Sequence, residues 1–403
     1  MHLLAVAVLA TFASYTAYYY LRVIRRPVLH FKNSSFHRSI IEQCPVLSEP
    51  YKPTFWCFNN HLMLLLFLFR EFRAKPYHYD RIEQLKMKDG GTTGLAWSGM
   101  EESKKSRTPI VVVFHTISGD EQDVTSMVRC IRNLNWTAVV CIRRGHGSLP
   151  LSKPRFNTMG STSDLTEQLA RIQKQFPEAP LFGVGISAGS GLLARYLGES
   201  GSRGKFQAAV AISPAYDLEV AFMRVHPVYS KLMRTRLIRY FLERHPSLSE
   251  IRGFEHAKLA NNLAEFQDRI YALAGYESRE EYYKHSNPIK VVKGIRTPLL
   301  ILNSADDPIC VNENVMENLH WLEHLDSTML VHTERGSHVA YLEGMRGTSW
   351  AERVVGQYLQ AIMRSPKRTR SSPTRKPPGA KRVARALGGT RHSARKKTVR
   401  RTR

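Results

Sequence analysis

The stretch that most constrains this chain is Pro180-Leu181-Phe182-Gly183-Val184-Gly185-Ile186-Ser187-Ala188-Gly189-Ser190-Gly191. A short apolar strand runs straight into Gly-x-Ser-x-Gly, and the pattern from Leu192 to Leu197 continues as helix. Such a turn is tight enough that the residues two positions either side of the serine must lack bulk, which accounts for Gly185 and Gly189. It lifts the Ser187 hydroxyl above the sheet, with the positive end of the next helix beneath it. Gly-x-Ser-x-Gly by itself is an ordinary loop sequence. A strand before it and a helix after it make it a nucleophile elbow.

The rest of the chain supplies matching elements. Arg81 to Lys88 and Gly94 to Trp97, around the turn Asp89-Gly90-Gly91, read as an opening hairpin. Pro109 to Phe114, Ala138 to Arg143, Leu181 to Gly185, Ala208 to Ile212, Pro298 to Asn303 and Thr328 to His332 read as buried strands. Asp164 to Gln175 and Asn312 to His320 read as helices between them. Continuous apolar strands separated by helices predict an α/β fold, with a mostly parallel central sheet and helices on both faces. Between Pro214 and Pro288 lies a polar, helix-rich insertion (Leu218 to Phe241, Leu259 to Leu273, Glu280 to Lys284), placed as a lid over about 214–288.

Three segments lie outside that pattern. Met1 to Leu21 holds no charged residue and is followed by Arg22, Arg25 and Arg26. Roughly 20 apolar residues span a bilayer, and Tyr18 to Tyr20 suit its interface. A cleaved signal peptide would open on a positive region, so residues 1–21 are expected to be a retained single-pass anchor. The flanking arginines predict that the bulk of the protein faces the cytoplasm, for instance at the endoplasmic reticulum. In the opposite orientation Asn33 and Asn135 would be glycosylation candidates. Residues 22–50 read as an irregular linker leading to a domain over 51–363. The run His61 to Phe69 is too short to span; it reads as a buried core helix, with a membrane-surface element as the alternative.

The formal charge of +25 is concentrated at the C-terminus, where residues 364–403 carry 16 Lys/Arg and no acid, leaving +9 elsewhere. With almost no large apolar side chain, that tail is expected to be disordered. It would suit anionic lipid, nucleic acid or acidic protein. The five cysteines are odd in number and scattered, which points to a reducing compartment; their spacing suggests no zinc site, and no cofactor is expected.

A serine hydroxyl needs a base, and the base needs an orienting acid. The acid should end a strand, and Leu300 to Asn303 runs into Ser304-Ala305-Asp306-Asp307-Pro308. Asp306, third past Asn303, is the expected acid; Asp307 competes, with bracing of the loop as its other role. His338 follows the last strand in the small-residue loop Thr333-Glu-Arg-Gly-Ser-His338, so it is the expected base. An oxyanion hole would take the Ala188 amide and one from the loop after Phe114, with Ile117 preferred and Thr116 next. His115 and Asp120 have an acyltransferase-like spacing, but an oxyanion loop explains His115 adequately.

Several further segments then carry a resemblance. These are Pro53-Thr-Phe-Trp56, Asn60-His61-Leu62, Asp89-Gly90-Gly91 with Leu95-Ala-Trp97, and Arg143-Arg144-Gly145-His146-Gly147-Ser148-Leu149-Pro150-Leu151. Pro154-Arg155-Phe156, Gly160, Asp164-Leu165, Asp306-Asp307-Pro308 and His338 to Gly344 complete the set. From about Tyr51 to Leu359 the chain resembles the AB-hydrolase type 4 family, membrane-anchored lipases and esterases of the α/β-hydrolase fold. The resemblance implies hydrolysis of phospholipid, acylglycerol or medium-chain esters by Ser187, Asp306 and His338. The chain departs from the family at His115-Thr116, where Pro-Gly is usual, at Gly189-Ser190, where Gly-Gly is usual, and in its basic tail. Two alternatives stay open: transfer of the acyl group to an alcohol, or an inert membrane scaffold whose tail does the work.

Overall fold

The computed structural model describes residues 1–101 and 107–365. Its centre is a nine-stranded sheet in the order β1-β9-β8-β7-β6-β4-β5-β3-β2. The strands are β1 (Val28–Phe31), β2 (Arg81–Lys86), β3 (Thr92–Ser98), β4 (Ile110–Phe114), β5 (Thr137–Ile142), β6 (Leu181–Ile186), β7 (Ala208–Ile212), β8 (Leu299–Ser304) and β9 (Thr328–Thr333). β4 through β9 run parallel, while β1, β2 and β3 are antiparallel additions at the edges. This is the expected mostly parallel α/β sheet.

The apolar runs read from sequence are long because both faces of these strands are covered. Side chains alternate between faces with period two. Val111 and Val113 of β4 enter one core, and Ile110, Val112 and Phe114 enter the other. The helices are α1 (His2–Tyr18), α2 (Ser35–Gln43), α3 (Asn60–Arg73), α4 (Thr125–Asn133), α5 (Thr162–Gln175), α6 (Ala188–Ser200), α7 (Leu218–Arg224), α8 (Pro227–Leu237), α9 (Phe254–Lys258), α10 (Leu263–Arg269), α11 (Arg279–Ser286), α12 (Asn312–Glu323) and α13 (Trp350–Arg364). On the first core pack α2, α4 and α13, through Ile40, Val128 and Trp350 among others. On the second pack α5, α6 and α12, through Leu165, Leu193 and Val315.

Residues 22–50 are not an irregular linker. β1 pairs with β9, Val28 opposite His332 and Phe31 opposite Met329. α2 starts at an N-cap where the Ser34 side chain accepts from the His37 amide, and it buries Ile40 beside Cys44, Val46 and Leu47. A four-residue strand is too short to show a period, and its partner lies some 300 positions away, so local pattern carries no sign of it.

α3 also corrects an expectation. The Asn59 side chain caps it, accepting from the His61 and Leu62 amides, and it buries Met63 and Leu64. Its other face is solvent-exposed, however, and that face is apolar: Leu62, Leu65, Leu68, Phe69 and Phe72. α1 continues through a short π-type turn to Val23, making a 22-residue apolar helix that is almost wholly exposed, with only Tyr19 and Val23 buried. By length and composition it is a candidate membrane span.

The insertion after β7 folds as α7 to α11 around its own apolar cluster, with Leu237, Phe241, Leu263, Phe266 and Tyr282 buried. The continuous helix expected over Leu218 to Phe241 breaks before Pro227, which starts α8 because its missing N–H fits only a first turn. Ile117, Met159 and Ala188 belong to this same cluster, so the insertion packs directly on the Ser187 turn and the loop after β4. The expected tail at 364–403 lies, from residue 366 onward, outside the described residues.

Candidate active site

Ser187 stands between β6 and α6 with φ 53 and ψ −118, a conformation that side chains other than glycine rarely adopt. The turn is held by the Ser187 amide donating to the Ile212 carbonyl (2.9 Å) and the Ser190 amide donating to the Ser187 carbonyl (2.9 Å). A Cβ on Gly185 would lie 2.5 Å from the Ser190 Cα, and one on Gly189 would collide with the Phe114 carbonyl. The flanking glycines are therefore obligatory for close approach.

His338 follows β9 through a loop with positive φ at Gly336, Ser337 and Val339. That path turns the imidazole back across the sheet end, where it is buried at 5% exposure. Its Nε2 lies 2.8 Å from the Ser187 Oγ. Its Nδ1 lies 2.8 Å from the Asp307 Oδ2. With Nδ1–H donating to the carboxylate, Nε2 is free to accept from the serine hydroxyl. The other carboxylate oxygen of Asp307 accepts from the Ile309 and Cys310 amides, both at 2.8 Å. These bonds fix the orientation of the carboxylate.

The acid beside His338 is thus Asp307, and Asp306 is corrected to a bracing role. The strand ends one residue later than sequence suggests, because Ser304 still pairs with Thr333. Counting three positions from the true end gives Asp307. Asp306 instead accepts from the Ser337 amide at 2.8 Å and offers its carbonyl to the Asn60 side-chain amide at 2.8 Å. Burial pushes its carboxyl up to about 6.

Of the two residues expected to form an oxyanion hole, Ala188 opens α6 directly after Ser187 and Ile117 lies in the loop after β4, and both sit in the apolar cluster of the insertion. Among the described residues no hydrogen bond takes the Ala188 or Ile117 N–H. The Thr116–Ile117 peptide is gripped from behind. The Arg143 backbone N–H donates to His115 Nε2 (3.3 Å), which leaves the hydrogen on Nδ1 to donate to the Thr116 carbonyl (3.1 Å). The Arg143 guanidinium donates to the same carbonyl. Its Nη2 also lies 3.3 Å from His146 Nε2, while His146 Nδ1 reaches the Arg144 carbonyl at 2.9 Å. Burial and the Arg143 charge hold both imidazoles far below the usual histidine range, so they stay neutral. Sequence reading missed this clamp; the only signal was the pairing of His115 with the Arg143-Arg144 run.

Asp120 caps the turn that follows, its Oδ1 accepting from the Gln122 amide (2.8 Å), so the His115–Asp120 spacing resolves into two structural roles. Arg144 ties the Asp89 turn to Asp164 of α5 by paired bonds of 2.6–2.9 Å, which explains three of the motifs quoted above. Its guanidinium holds the Asp89 carboxyl down at about 2. Cys310 approaches Asp307 and His338 within metal-ligating distance. Burial raises its thiol well above the usual range, and it donates to the Ser213 carbonyl (3.2 Å), the opposite of a metal-binding thiolate.

With this geometry in place, comparison with known proteins narrows the assignment. A family profile described as serine aminopeptidase, S33, within the hydrolases, matches residues 106–343. A protein from Bos taurus named phospholipase ABHD3 is 28% identical over 369 residues, covering 87% of this chain and 88% of its own. The monoacylglycerol lipase of Saccharomyces cerevisiae is 26% identical over 269 residues, covering 62% of this chain and 59% of its own. A solved structure from Staphylococcus aureus, described as a protein with unknown function, superposes with a TM-score of 0.50 at 14% identity. It covers 70% of this chain and 99% of that one, a likeness of fold alone.

Proposed function

The chain belongs to this α/β-hydrolase family, and we propose that within it the protein is a membrane-anchored serine hydrolase of lipid carboxylic esters, working through Ser187, His338 and Asp307. The observation that carries this reading is the unbroken chain of two 2.8 Å contacts from Asp307 through His338 to Ser187. His338 Nε2 takes the Ser187 proton as Oγ attacks the ester carbonyl. The Ala188 and Ile117 amides receive the oxyanion, and Asp307 stabilises the imidazolium that forms. The imidazolium returns its proton to the leaving alcohol, and a water activated by the same imidazole releases the acid from Oγ.

Lipid esters are favoured by the names of the relatives, a phospholipase and a monoacylglycerol lipase, and by the apolar cluster that meets Ala188 and Ile117. The N-terminal helix with Arg22, Arg25 and Arg26 after it supports anchorage with the catalytic domain on the cytoplasmic side. A fluorophosphonate probe and a panel of phospholipid and acylglycerol esters test the proposal. Wild type should be labelled and release free acid, and Ser187→Ala should do neither. Equal labelling of the two proteins, or release of acid only as a new ester when an alcohol is present, overturns it.

A further inference from the structure

Apart from Arg73 at its C-terminus, the exposed residues of α3 fall at 62, 65, 68, 69 and 72, the spacing of a single helix face. All five are Leu or Phe, with Phe72 88% exposed. Scattered exposed leucines are ordinary; a continuous stripe of five large apolar side chains on one helix is a contact surface. α3 buries its opposite face against Ala340 and Leu342, so it cannot roll the stripe inward.

α8 adds a charged neighbour to that stripe. Val228 and Leu232 are exposed, and Lys231, Arg236, Arg239 and Arg244 line with them an open groove of about 840 Å³. Residues 224–244 hold six Lys/Arg against one acid, Glu243. Arg236 has Asp123 at 4.0 Å; among the described residues Lys231 and Arg239 have no carboxylate within salt-bridge range. The two helices meet at their first turns. His61 Nδ1 shares a hydrogen bond with the Tyr229 hydroxyl (2.9 Å), and the rings stack at 5.7 Å. The end of α1 leans on the segment just before α3, through Tyr15 on Phe55 (5.1 Å) and Tyr18 on Phe58 (6.0 Å). The same corner braces the base: the Ser337 hydroxyl donates to the Asn60 carbonyl at 2.8 Å.

We propose that the exposed faces of α3, of α8 and of the π-type turn that continues α8 over Ile238–Glu243 together form a docking surface for an anionic phospholipid bilayer, with the α3 stripe in the acyl boundary and Lys231 and Arg239 on lipid phosphates. Apolar side chains joined to unpaired cations are what a helix lying in a charged interface needs. A second copy of this chain, itself strongly basic, would answer the stripe but not the cations. The surface continues directly from the proposed anchor and ends at the His338 loop, so docking would seat the catalytic corner against lipid. This deepens the membrane-ester reading and rests on it.

The test uses the full chain reconstituted in vesicles of phosphatidylcholine, with or without phosphatidylserine. An environment-sensitive dye is placed on Leu65→Cys, Leu232→Cys and, as the control, Lys174→Cys, which is exposed at the far end of α5 just before β6 begins. The native cysteines are buried or half-buried, so their background is read from wild type. The Leu65 and Leu232 dyes should be quenched several-fold more than the Lys174 dye by spin-labelled lipid. The Leu232 contact should require phosphatidylserine, weaken with salt, and be lost in Lys231→Glu/Arg239→Glu. Quenching at Leu65 no greater than at Lys174 overturns the proposal. So does a blue shift without lipid quenching, which would mean that a second copy covers α3, and so does Leu232 contact indifferent to phosphatidylserine. Fluorophosphonate labelling of the same samples reports on Ser187 separately: intact labelling with no quenching rejects the docking surface and leaves the hydrolase standing.

Discussion

Asp306 and Asp307 adjoin at the end of β8, yet only Asp307 reaches the imidazole of His338, at 2.8 Å. Asp307→Asn should lower kcat by a factor on the order of 10⁴, since an amide favours the wrong imidazole tautomer. Asp306→Asn should stay within about tenfold of wild type, because Asn can still accept from the Ser337 amide. Steady-state kinetics on one ester decide the matter, and equal losses in the two variants would return Asp306 to the triad. Stability gives an independent readout. The Asp306 carboxyl titrates near 6 in the fold, above its ordinary value of 3.8. The native state therefore binds the proton more tightly, and its stability is full below about pH 4 and falls as pH rises through about 6. Asp306→Asn should match or exceed the wild-type Tm at pH 8, with the gap closing toward pH 4 in calorimetry. Ser187 and His338 were legible because glycine spacing and strand-end position are local properties. The acid was one residue off because Ser304 extends β8 only through its pairing with Thr333, a contact no local pattern records. Arg143 belongs to the same non-local class. Its guanidinium and His115 fix the carbonyl of the very peptide whose N–H is the proposed oxyanion donor. Polarising that carbonyl strengthens the N–H. Arg143→Met should cut kcat and the fluorophosphonate labelling rate together by about ten- to a hundredfold with KM little changed. Unchanged labelling would remove Arg143 from the oxyanion loop's support.

At the scale of elements, β1 and α3 are where composition misleads. β1 is half-exposed and too short to reveal itself, and α3 is apolar on both sides, which in sequence alone describes a core helix. Their placement depends on partners: β9 for the strand, and Ala340 and Leu342 for one side of the helix. The strand covers an edge that would otherwise present unpaired backbone groups of β9 to other chains. Removing residues 1–18 should leave the domain folded, since Tyr19, whose hydroxyl donates to the Pro53 carbonyl (2.6 Å), is retained. Removing residues 1–34 takes β1 as well, and that protein should aggregate or lose its cooperative melt. Circular dichroism and size-exclusion chromatography compare the two, and a well-behaved monomer from the longer deletion would show that β1 is dispensable.

For the whole molecule, the distance between the apolar helix and the sheet matters most. The helix runs to Val23 and β1 starts at Val28, leaving Ile24 to Pro27 between them. Four residues reach at most about 14 Å when fully extended. Even these are pinned, for the Arg25 carbonyl accepts from the Tyr51 amide at 2.8 Å. A protein rooted by that helix therefore has no leash. With that helix as the proposed anchor, the domain could not lean out toward a neighbouring membrane, and its height above the leaflet would be the first limit on its substrates. Long-chain esters in its own vesicles should be cleaved, while the same esters in a second, unfused population should persist in a mixed-vesicle assay. Comparable cleavage of both populations would mean that the domain works detached from its root. Cleavage confined to its own vesicles would mean that geography, more than pocket shape, decides which lipids ever meet Ser187.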